Sequence, residues 1–158
     1  MQYRVGVKHY DAGHYEQAVR WFFDSAKGGQ RDAQVNLAKM LEGGRGVKEP
    51  DEVTAFKWYY EAAKRGDRDA MCAVGRMYAQ GSGGVTKDME KAQEYYRNAR
   101  ELGSEEARMW FAEQEKMNGC LCKMLGLVRF LLVTAAILGL AVIIAIVVFL
   151  VKADVISF

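Results

Sequence analysis

The sequence predicts an all-α protein: a short α-solenoid of about three helix pairs, followed by one C-terminal transmembrane helix. Two observations support this prediction. The octets AKGGQRDA (residues 26–33) and AKRGDRDA (residues 63–70) are nearly identical and start 37 residues apart. Residues 130–151, FLLVTAAILGLAVIIAIVVFLV, carry no charge. A fixed period of roughly 20 to 50 residues is typical of solenoids, and about 20 apolar residues suffice to cross a bilayer as a helix.

The repeat extends well beyond the two octets. With the same shift, aromatic, glycine and alanine positions fall into register along most of the chain. The aligned sets are Trp21, Trp58 and Tyr95; Gly29, Gly66 and Gly103; and Ala33, Ala70 and Ala107. This register predicts successive copies of one structural unit, which stack because no copy can bury its apolar face alone.

Each unit is predicted to contain two helices. Apolar residues recur at three- and four-residue steps over residues 32–42 and again over 52–65, which is helical periodicity. Glycine-rich stretches at 43–46 and 81–84 are expected to break the chain between paired helices. A further helix over about 104–118 is expected to form the first half of another unit.

Helix ends are also visible in the sequence. Asp51 and Asp88 are predicted as N-caps or first-turn acids, because their carboxylates suit the N-terminal end of a helix. Gly29, Gly66 and Gly103 are predicted to follow the second helices, where a C-terminal cap favours a residue that tolerates positive φ. The chain is therefore divided into a repeat domain, a juxtamembrane segment, a transmembrane helix and a tail: residues 1–119, 120–129, 130–151 and 152–158.

Charge and leader patterns predict where the repeat domain lies. The first 15 residues contain no apolar run that resembles a secretory signal. Lys116, Lys123 and Arg129 precede the span and only Lys152 follows it, which by the positive-inside tendency predicts a tail anchor with the domain in the cytosol. Basic residues on both sides of the span favour the mitochondrial outer membrane, whereas its length and apolarity suit the endoplasmic reticulum. Both membranes stay open, with the mitochondrial one slightly favoured.

Composition argues against several classes of function. Residues 1–119 carry 19 basic and 19 acidic side chains, so the domain lacks the basic excess typical of nucleic-acid binding. His9 and His14 are five residues apart and lack a third ligand, so no metal site is predicted. The three cysteines form no ligand set and no even-numbered disulfide framework.

No enzymatic chemistry is predicted either. The loops GGRGV and GSGGV follow no predicted strand and lack the Gly-Lys-Ser/Thr ending of a phosphate-binding loop. No nucleophile stands beside a base in a recognisable pattern. We therefore expect no catalytic residues, no cofactor and no small-molecule substrate.

The repeat pattern resembles the Sel-1-like repeat, a variant of the tetratricopeptide repeat, over roughly residues 1–112. The first full copy carries the resemblance on Ala33, Leu37, Ala38, Leu41, Gly44, Gly46, Val47, Ala55, Trp58, Tyr59, Ala62, Ala63, Gly66 and Ala70. The loop KEPDEVTA departs from the family pattern, in which this connection is usually shorter. The resemblance implies that the first helix of each pair lines a concave surface, which in relatives holds peptides or partner helices.

Three kinds of candidate residue follow. Polar and methionine side chains outside the core pattern predict a partner-binding groove: Lys8, Asn36, Lys39, Met40, Arg76 and Met77. A row of Asn, Lys and Arg can hold a carboxylate or an acidic peptide. Ala135 and Gly139 form a small-xxx-small step that permits close packing of the transmembrane helix. Cys120 and Cys122 lie at the membrane entry, where they are either acylated or unmodified thiols.

The function predicted from the sequence is a non-enzymatic, membrane-anchored interaction subunit. It would be an accessory or receptor component of a multi-subunit membrane complex, for example in protein translocation or organelle assembly. Its expected partners are protein subunits and membrane lipid. The alternatives are a peptide receptor or adaptor in endoplasmic reticulum quality control and an organelle-fission-type adaptor.

Overall fold

Seven α-helices make up the described part of the chain in the computed structural model. The model describes the backbone of residues 2–156, and their side chains except those of 121, 131, 135–147 and 149–156. The helices are α1 (Gln2–Asp11), α2 (Tyr15–Lys27), α3 (Arg31–Glu42), α4 (Glu52–Lys64), α5 (Arg68–Gln80), α6 (Met89–Glu101) and α7 (Glu105–Ile156). Each of the first five packs against the next, so that α1/α2, α3/α4 and α5/α6 form three successive pairs. The predicted all-α solenoid of three helix pairs is confirmed.

The chain divides into two compact units, residues 1–111 and 112–158. Helix α7 begins in the first unit, and its remainder forms the described part of the second. Separate helices were expected over about 104–118 and over 130–151, but α7 continues without a break. Proline is the residue that most strongly interrupts a helix, and the single proline of the chain is Pro50. The domain boundaries at residues 119, 129 and 151 stay predictions.

Within the described residues, one helical stretch is long and apolar enough to cross a membrane. It lies in α7 over Glu105–Thr134, with a mean hydropathy of 1.4 in its most apolar part. Most side chains of the predicted span at 130–151 lie outside those that the structure describes.

Aspartate side chains cap the helices that start after loops. Asp51 accepts a hydrogen bond from the backbone N–H of Thr54 at 2.9 Å, and Asp88 accepts one from Lys91 at 3.0 Å. Hydrogen bonds from the side chain and then the backbone of Thr54 lower the pKa of Asp51, and the backbone bond from Lys91 lowers that of Asp88. Both predicted caps are therefore confirmed. Asp67, which was not predicted, caps α5 in the same way through the N–H of Ala70.

The regular 37-residue spacing of glycines at the ends of α2, α4 and α6 has a geometric cause. Gly66 has φ +82° and follows the last turn of α4. The next N–H, that of Asp67, donates to the carbonyl of Ala62 at 3.2 Å, which closes the helix end as a Schellman motif does. Gly29 and Gly103 occupy the same positions with φ +84° and +82°. The predicted C-terminal glycines are confirmed.

The glycine loops between paired helices lie against the preceding repeat. A Cβ at Gly46 would overlap the carbonyl oxygen of Tyr15, in the first turn of α2. One repeat later, a Cβ at Gly83 would lie 2.9 Å from Cβ of Phe56 and 3.2 Å from the carbonyl oxygen of Glu52, in the first turn of α4. Both glycines are therefore required because the loop of each repeat contacts the second helix of the repeat before it.

Three apolar clusters succeed one another along the helix pairs. Buried alanines let neighbouring helix backbones approach, and a few large side chains fill the space between turns. The largest fully buried side chains are Tyr59, Phe22, Leu37, Met40, Met77, Val74 and Cys72. The last cluster includes Trp110, whose ring stacks on Tyr96 at 4.4 Å between centroids. The first turns of α7 thus cover α5 and α6, as expected for the first helix of another unit.

Candidate protein-docking groove

The first helices of the first two pairs, α1 and α3, enclose a groove on the repeat unit. Its volume is about 630 Å³, within the range of about 300–1,000 Å³ typical of ligand pockets. We call it the α1–α3 groove. Its lining residues are Tyr3, Val7, Tyr10, Asp11, Phe22, Asn36, Lys39, Met40, Glu42, Gly43 and Arg45.

The floor of the α1–α3 groove is apolar and buried. Phe22 and Met40 are each only 1% exposed. The Phe22 ring reaches the groove because Gly6 has no side chain, and a Cβ there would lie 2.8 Å from the ring. Tyr3 stands beside Phe22, with 5.8 Å between ring centroids. The floor is therefore buried, and the accessible apolar surface of the groove comes from the partly buried Tyr3, Val7 and Tyr10.

Two hydrogen bonds position tyrosine hydroxyls in the groove. The amide of Asn36 donates to the Tyr3 hydroxyl at 3.2 Å, which joins α3 to α1. The guanidinium of Arg45, in the glycine loop, donates to the Tyr10 hydroxyl at 2.7 Å. Because a tyrosine hydroxyl both accepts and donates, each of these oxygens keeps its own hydrogen for a further acceptor.

Glu42 closes the groove at the end of α3 through a network with two other helices. Its carboxylate lies 2.8 Å from the guanidinium of Arg76 on α5 and accepts a hydrogen bond of 2.9 Å from the Tyr59 hydroxyl on α4. Burial, followed by the charge of Glu42, raises the pKa of Tyr59. Burial disfavours the charged form of Arg76, but the hydrogen bond to Glu42 and the charge of Glu42 together outweigh burial and raise the pKa of Arg76. Both carboxylate oxygens of Glu42 are thus engaged within the protein.

The structure brings together half of the predicted groove residues. Asn36, Lys39 and Met40 line the α1–α3 groove. Lys8 is exposed on α1 but does not line it. The side chain of Arg76 is 36% exposed, and its guanidinium forms an ion pair with Glu42. Partner binding by these residues stays a prediction.

The two methionines need a correction. Met40 and Met77 were expected to offer adaptable apolar contacts to a partner, but they are 1% and 0% exposed. Each packs in a core cluster between helix pairs, because its position on the helix faces the preceding pair and not the solvent. Met40 forms part of the groove floor, and Met77 is a core residue only.

Sequence reasoning missed the groove residues Tyr3, Tyr10 and Arg45. Tyr3, Val7 and Tyr10 follow one another at steps of four and three residues, the spacing of one helical face. That signal could have placed them on the concave side of α1. Arg45 lies in the glycine loop that was taken only as a break, and no sequence signal indicated its bond to Tyr10.

The cysteines and histidines form no reaction centre among the described residues. Cys72 is buried, its Sγ lies 3.2 Å from Oγ of Ser104, and burial raises the pKa of the thiol. Cys120 and Cys122 are exposed free thiols. The turn between α1 and α2 brings the rings of His9 and His14 to 5.9 Å between centroids, yet no cluster of three or more metal-ligating side chains occurs among the residues that the structure describes. The side chains of Ala135 and Gly139 lie outside the described set.

The fold and the groove define a class: an α-solenoid of short helix pairs with a ligand-sized groove between first helices. The sequence model of the Sel1 repeat matches residues 1–29, 31–67 and 68–104. The chain belongs to the Sel1 repeat family, and the resemblance seen in the sequence is confirmed. Sel1 repeat proteins mediate protein–protein interactions. No curated protein shows significant similarity to this chain.

Solved structures of similar fold include three bacterial proteins. A Sel1 repeat protein from Oxalobacter formigenes is 34% identical, with a TM-score of 0.65 over 71% of this chain and 86% of that one. A protective antigen of uropathogenic Escherichia coli with an SLR fold is also 34% identical, with a TM-score of 0.62. The match covers 65% of this chain but only 22% of that antigen. Cysteine rich protein B of Helicobacter pylori, 24% identical over 58% of this chain and 67% of that one, shares the fold with a TM-score of 0.54.

Proposed function

We propose that this chain is a non-enzymatic, membrane-anchored protein-interaction subunit, an accessory or receptor component of a multi-subunit membrane complex. The observation that carries the proposal is the α1–α3 groove, which is lined by aromatic, polar and charged side chains, on a repeat fold whose family mediates protein–protein interactions. Asn36 and Lys39 from the predicted set, together with Tyr3, Tyr10 and Arg45, form the proposed docking surface. Lys8 and Arg76 would extend it beyond the groove.

Membrane anchoring is the second part of the proposal. Its support is the run of 22 uncharged residues at 130–151 and the continuous helix α7 that contains them. Ala135 and Gly139, four residues apart, would let this helix pack closely against a transmembrane helix of a neighbouring subunit. That contact would make the span an assembly surface as well as an anchor.

The proposed orientation places the repeat domain on the cytosolic face. Lys116, Lys123 and Arg129 precede the span, which agrees with the positive-inside tendency. We favour the mitochondrial outer membrane because Arg129 and Lys152 flank the span on both sides. The second candidate is a receptor or adaptor for soluble partners at the endoplasmic reticulum, favoured by the strongly apolar span.

The proposal is tested by changing the sequence of the span while its length and apolar character are kept, so that the chain stays anchored. The tagged full chain is compared with a chain in which residues 130–151 are replaced by polyleucine of the same length, each purified in mild detergent with quantitative mass spectrometry. A complex subunit loses its membrane partners on this exchange, because polyleucine lacks the Ala135–Gly139 step. A receptor for soluble partners keeps its soluble partners, because polyleucine still anchors the chain. Recovery of no partner at fixed stoichiometry with either chain would contradict the interaction function.

A further inference from the structure

Helix α7 begins as the first helix of a fourth pair, but it is the last helix of the described chain. In the second and third pairs, the second helix covers two positions of the first. On α3 these positions are Val35 and Ala38, which are buried in the cluster that contains Tyr59 of α4. On α5 they are Cys72 and Gly75, both buried. Each first helix thus has one side that its own second helix covers.

The equivalent side of α7 is open. A shift of 37 residues places the two covered positions of α5 on Met109 and Ala112 of α7. Met109 is 61% exposed, against 6% for Val35 and 1% for Cys72, and Ala112 is exposed as well. We call Met109 and Ala112 the open α7 face. No second helix follows in the described residues to cover it.

A terminal cap does not account for this methionine. The last helix of a solenoid requires a polar outer face, because no further repeat packs on it. The inner side of α7 is packed as expected, since Ala107 is buried and Trp110 stacks on Tyr96 with 4.4 Å between ring centroids. Yet Met109 is the most exposed of the large apolar side chains described in residues 2–111. An apolar residue therefore lies outward where α3 and α5 receive their second helices.

The three complete pairs show which kind of helix fits such a face. Each second helix presents an alanine, an aromatic residue four positions later and a small residue three positions after that. These buried sets are Ala18, Phe22 and Ser25 on α2; Ala55, Tyr59 and Ala62 on α4; and Ala92, Tyr96 and Ala99 on α6. The aromatic ring lies over the small residue of the first helix, since a Cβ at Gly75 would lie 3.1 Å from the Tyr96 ring.

We propose that the open α7 face binds a helix of a partner protein that carries the pattern alanine–x3–aromatic–x2–alanine. The partner thereby supplies the second helix of the fourth pair. Its aromatic ring lies over Ala112, as the Tyr96 ring lies over Gly75. Met109 packs against the ring and the following alanine, as Cys72 packs in one cluster with Tyr96 and Ala99. The inference rests on the proposed interaction function and specifies a second surface and its ligand.

The repeat register favours this occupant over a second copy or a bilayer. A folded second copy cannot offer the pattern, because Phe22, Tyr59 and Tyr96 are each buried in their own pairs. A bilayer surface would contact Met109 but would place no ring over Ala112. The helix that fits therefore belongs to a different protein.

Two stapled peptides test the ligand class on the full chain, held in nanodiscs of neutral phosphatidylcholine. The first fluorescent peptide carries the pattern with tyrosine as its aromatic residue, and the second replaces this tyrosine by serine. A staple on the opposite side keeps each peptide helical, because short isolated helices are marginal in water. Fluorescence anisotropy should show binding of the first peptide and at least about tenfold weaker binding of the second. Empty nanodiscs measure binding to lipid alone.

Substitutions on α7 assign the binding to the open α7 face. Met109→Glu should weaken binding of the tyrosine peptide by about tenfold or more, because the docked helix would bury an unpaired charge. Ala112→Trp should weaken it similarly without adding a charge, because the indole fills the place of the peptide's ring. Met89→Glu is the matched control, an exposed methionine in the first turn of α6, and should bind as the wild type does. Circular dichroism checks that all three variants are folded.

Five results would overturn the proposal. Equal binding of the serine peptide would show that no aromatic residue is recognised, and equal loss in Met89→Glu would assign the effect to overall charge. Equal binding to empty nanodiscs would assign it to lipid. Self-association that Met109→Glu abolishes would assign the face to a second copy of this chain. Binding of neither peptide would reject the helix ligand; if co-purified partners then remain, the interaction function still stands.

Discussion

The guanidinium of Arg76 lies 2.8 Å from the carboxylate of Glu42, which ties α5 of the third helix pair to the end of α3 in the second. The same carboxylate accepts a 2.9 Å hydrogen bond from Tyr59 on α4, whose residue is only 2% exposed. Three helices from two repeats therefore share one carboxylate. This contact lies at the border of the α1–α3 groove, so the network that joins the repeats also fixes one end of the proposed docking surface.

Glu42→Ala should destabilise the repeat unit by about 1–3 kcal/mol, because it leaves the buried Tyr59 hydroxyl without its acceptor. The measurement is urea unfolding of the full chain in detergent, followed by tryptophan fluorescence. Glu61→Ala is the control, since Glu61 pairs with Lys64 at 3.2 Å on the surface. Such exposed pairs contribute about 0–1 kcal/mol. Equal losses in the two variants would show that the Glu42 network does not join the repeats.

Gly46→Ala should destabilise the chain more than Gly13→Ala does. Both glycines have φ +77°, so both substitutions carry left-handed strain of about 1–2 kcal/mol. Only at Gly46 would the new Cβ overlap a backbone atom, the Tyr15 carbonyl oxygen, whereas nothing lies within 4 Å of a Cβ at Gly13. Urea midpoints of the two variants measure the difference. Identical midpoints would contradict the close approach of loop and helix.

The stability of the repeat unit should fall in strongly alkaline solution. Burial, followed by the charge of Glu106, raises the pKa of Tyr96 from 10.0 to about 12. The folded state therefore favours the neutral phenol. Its contribution is fully present below about pH 10, where the unfolded chain is also neutral, and is lost as the pH rises towards about 12.

Tyr96→Phe tests this pH dependence, because phenylalanine has no proton to lose. The urea midpoint of the variant should decline less between pH 10 and pH 12 than that of the wild type. Some decline should remain, since burial also raises the pKa of Tyr95 to about 12. Tyr15→Phe, which changes an exposed ring, serves as the control and should follow the wild-type curve. A Tyr96→Phe curve that also follows the wild type would refute the prediction.

Cys72 should be inert in the folded chain. It is 1% exposed, and burial raises the pKa of its thiol, so little thiolate is available. In a Cys120→Ser/Cys122→Ser variant, maleimide labelling should be at least about a hundredfold slower in native buffer than in urea. Mass spectrometry over time measures both rates. Rapid native labelling would mean that α5 and the first turns of α7 separate readily in solution.

The repeat architecture could be predicted from the sequence because its constraints are local and periodic. The spacing of Gly66 and its equivalents marks the helix ends, and Asp51 and Asp88 mark helix starts, since each acts through bonds to backbone atoms a few residues away. The groove depends on contacts between residues more than 30 positions apart, such as Arg45 with Tyr10 and Asn36 with Tyr3. Periodicity alone cannot show which side chains meet across the gap between two repeats.

The two buried methionines illustrate the same limit. Met40 and Met77 occupy equivalent positions in successive repeats, and the sequence pattern alone does not show whether that face of the helix is turned to the solvent or to the preceding pair. Packing decides this, because the small residues Ala18 and Ala55 let the following helices approach closely. Lys39, one position earlier, lies on the exposed side.

Site-specific photocrosslinking in the native membrane tests the central claim, that the α1–α3 groove docks a protein partner. A benzophenone amino acid is placed at Tyr10, which lines the groove, and in a second chain at Arg97, which is exposed on α6. The account predicts a discrete crosslinked partner from position 10 that Lys39→Glu abolishes, and none from position 97. Crosslinks from position 97 alone, or from position 10 to lipid only, would contradict it.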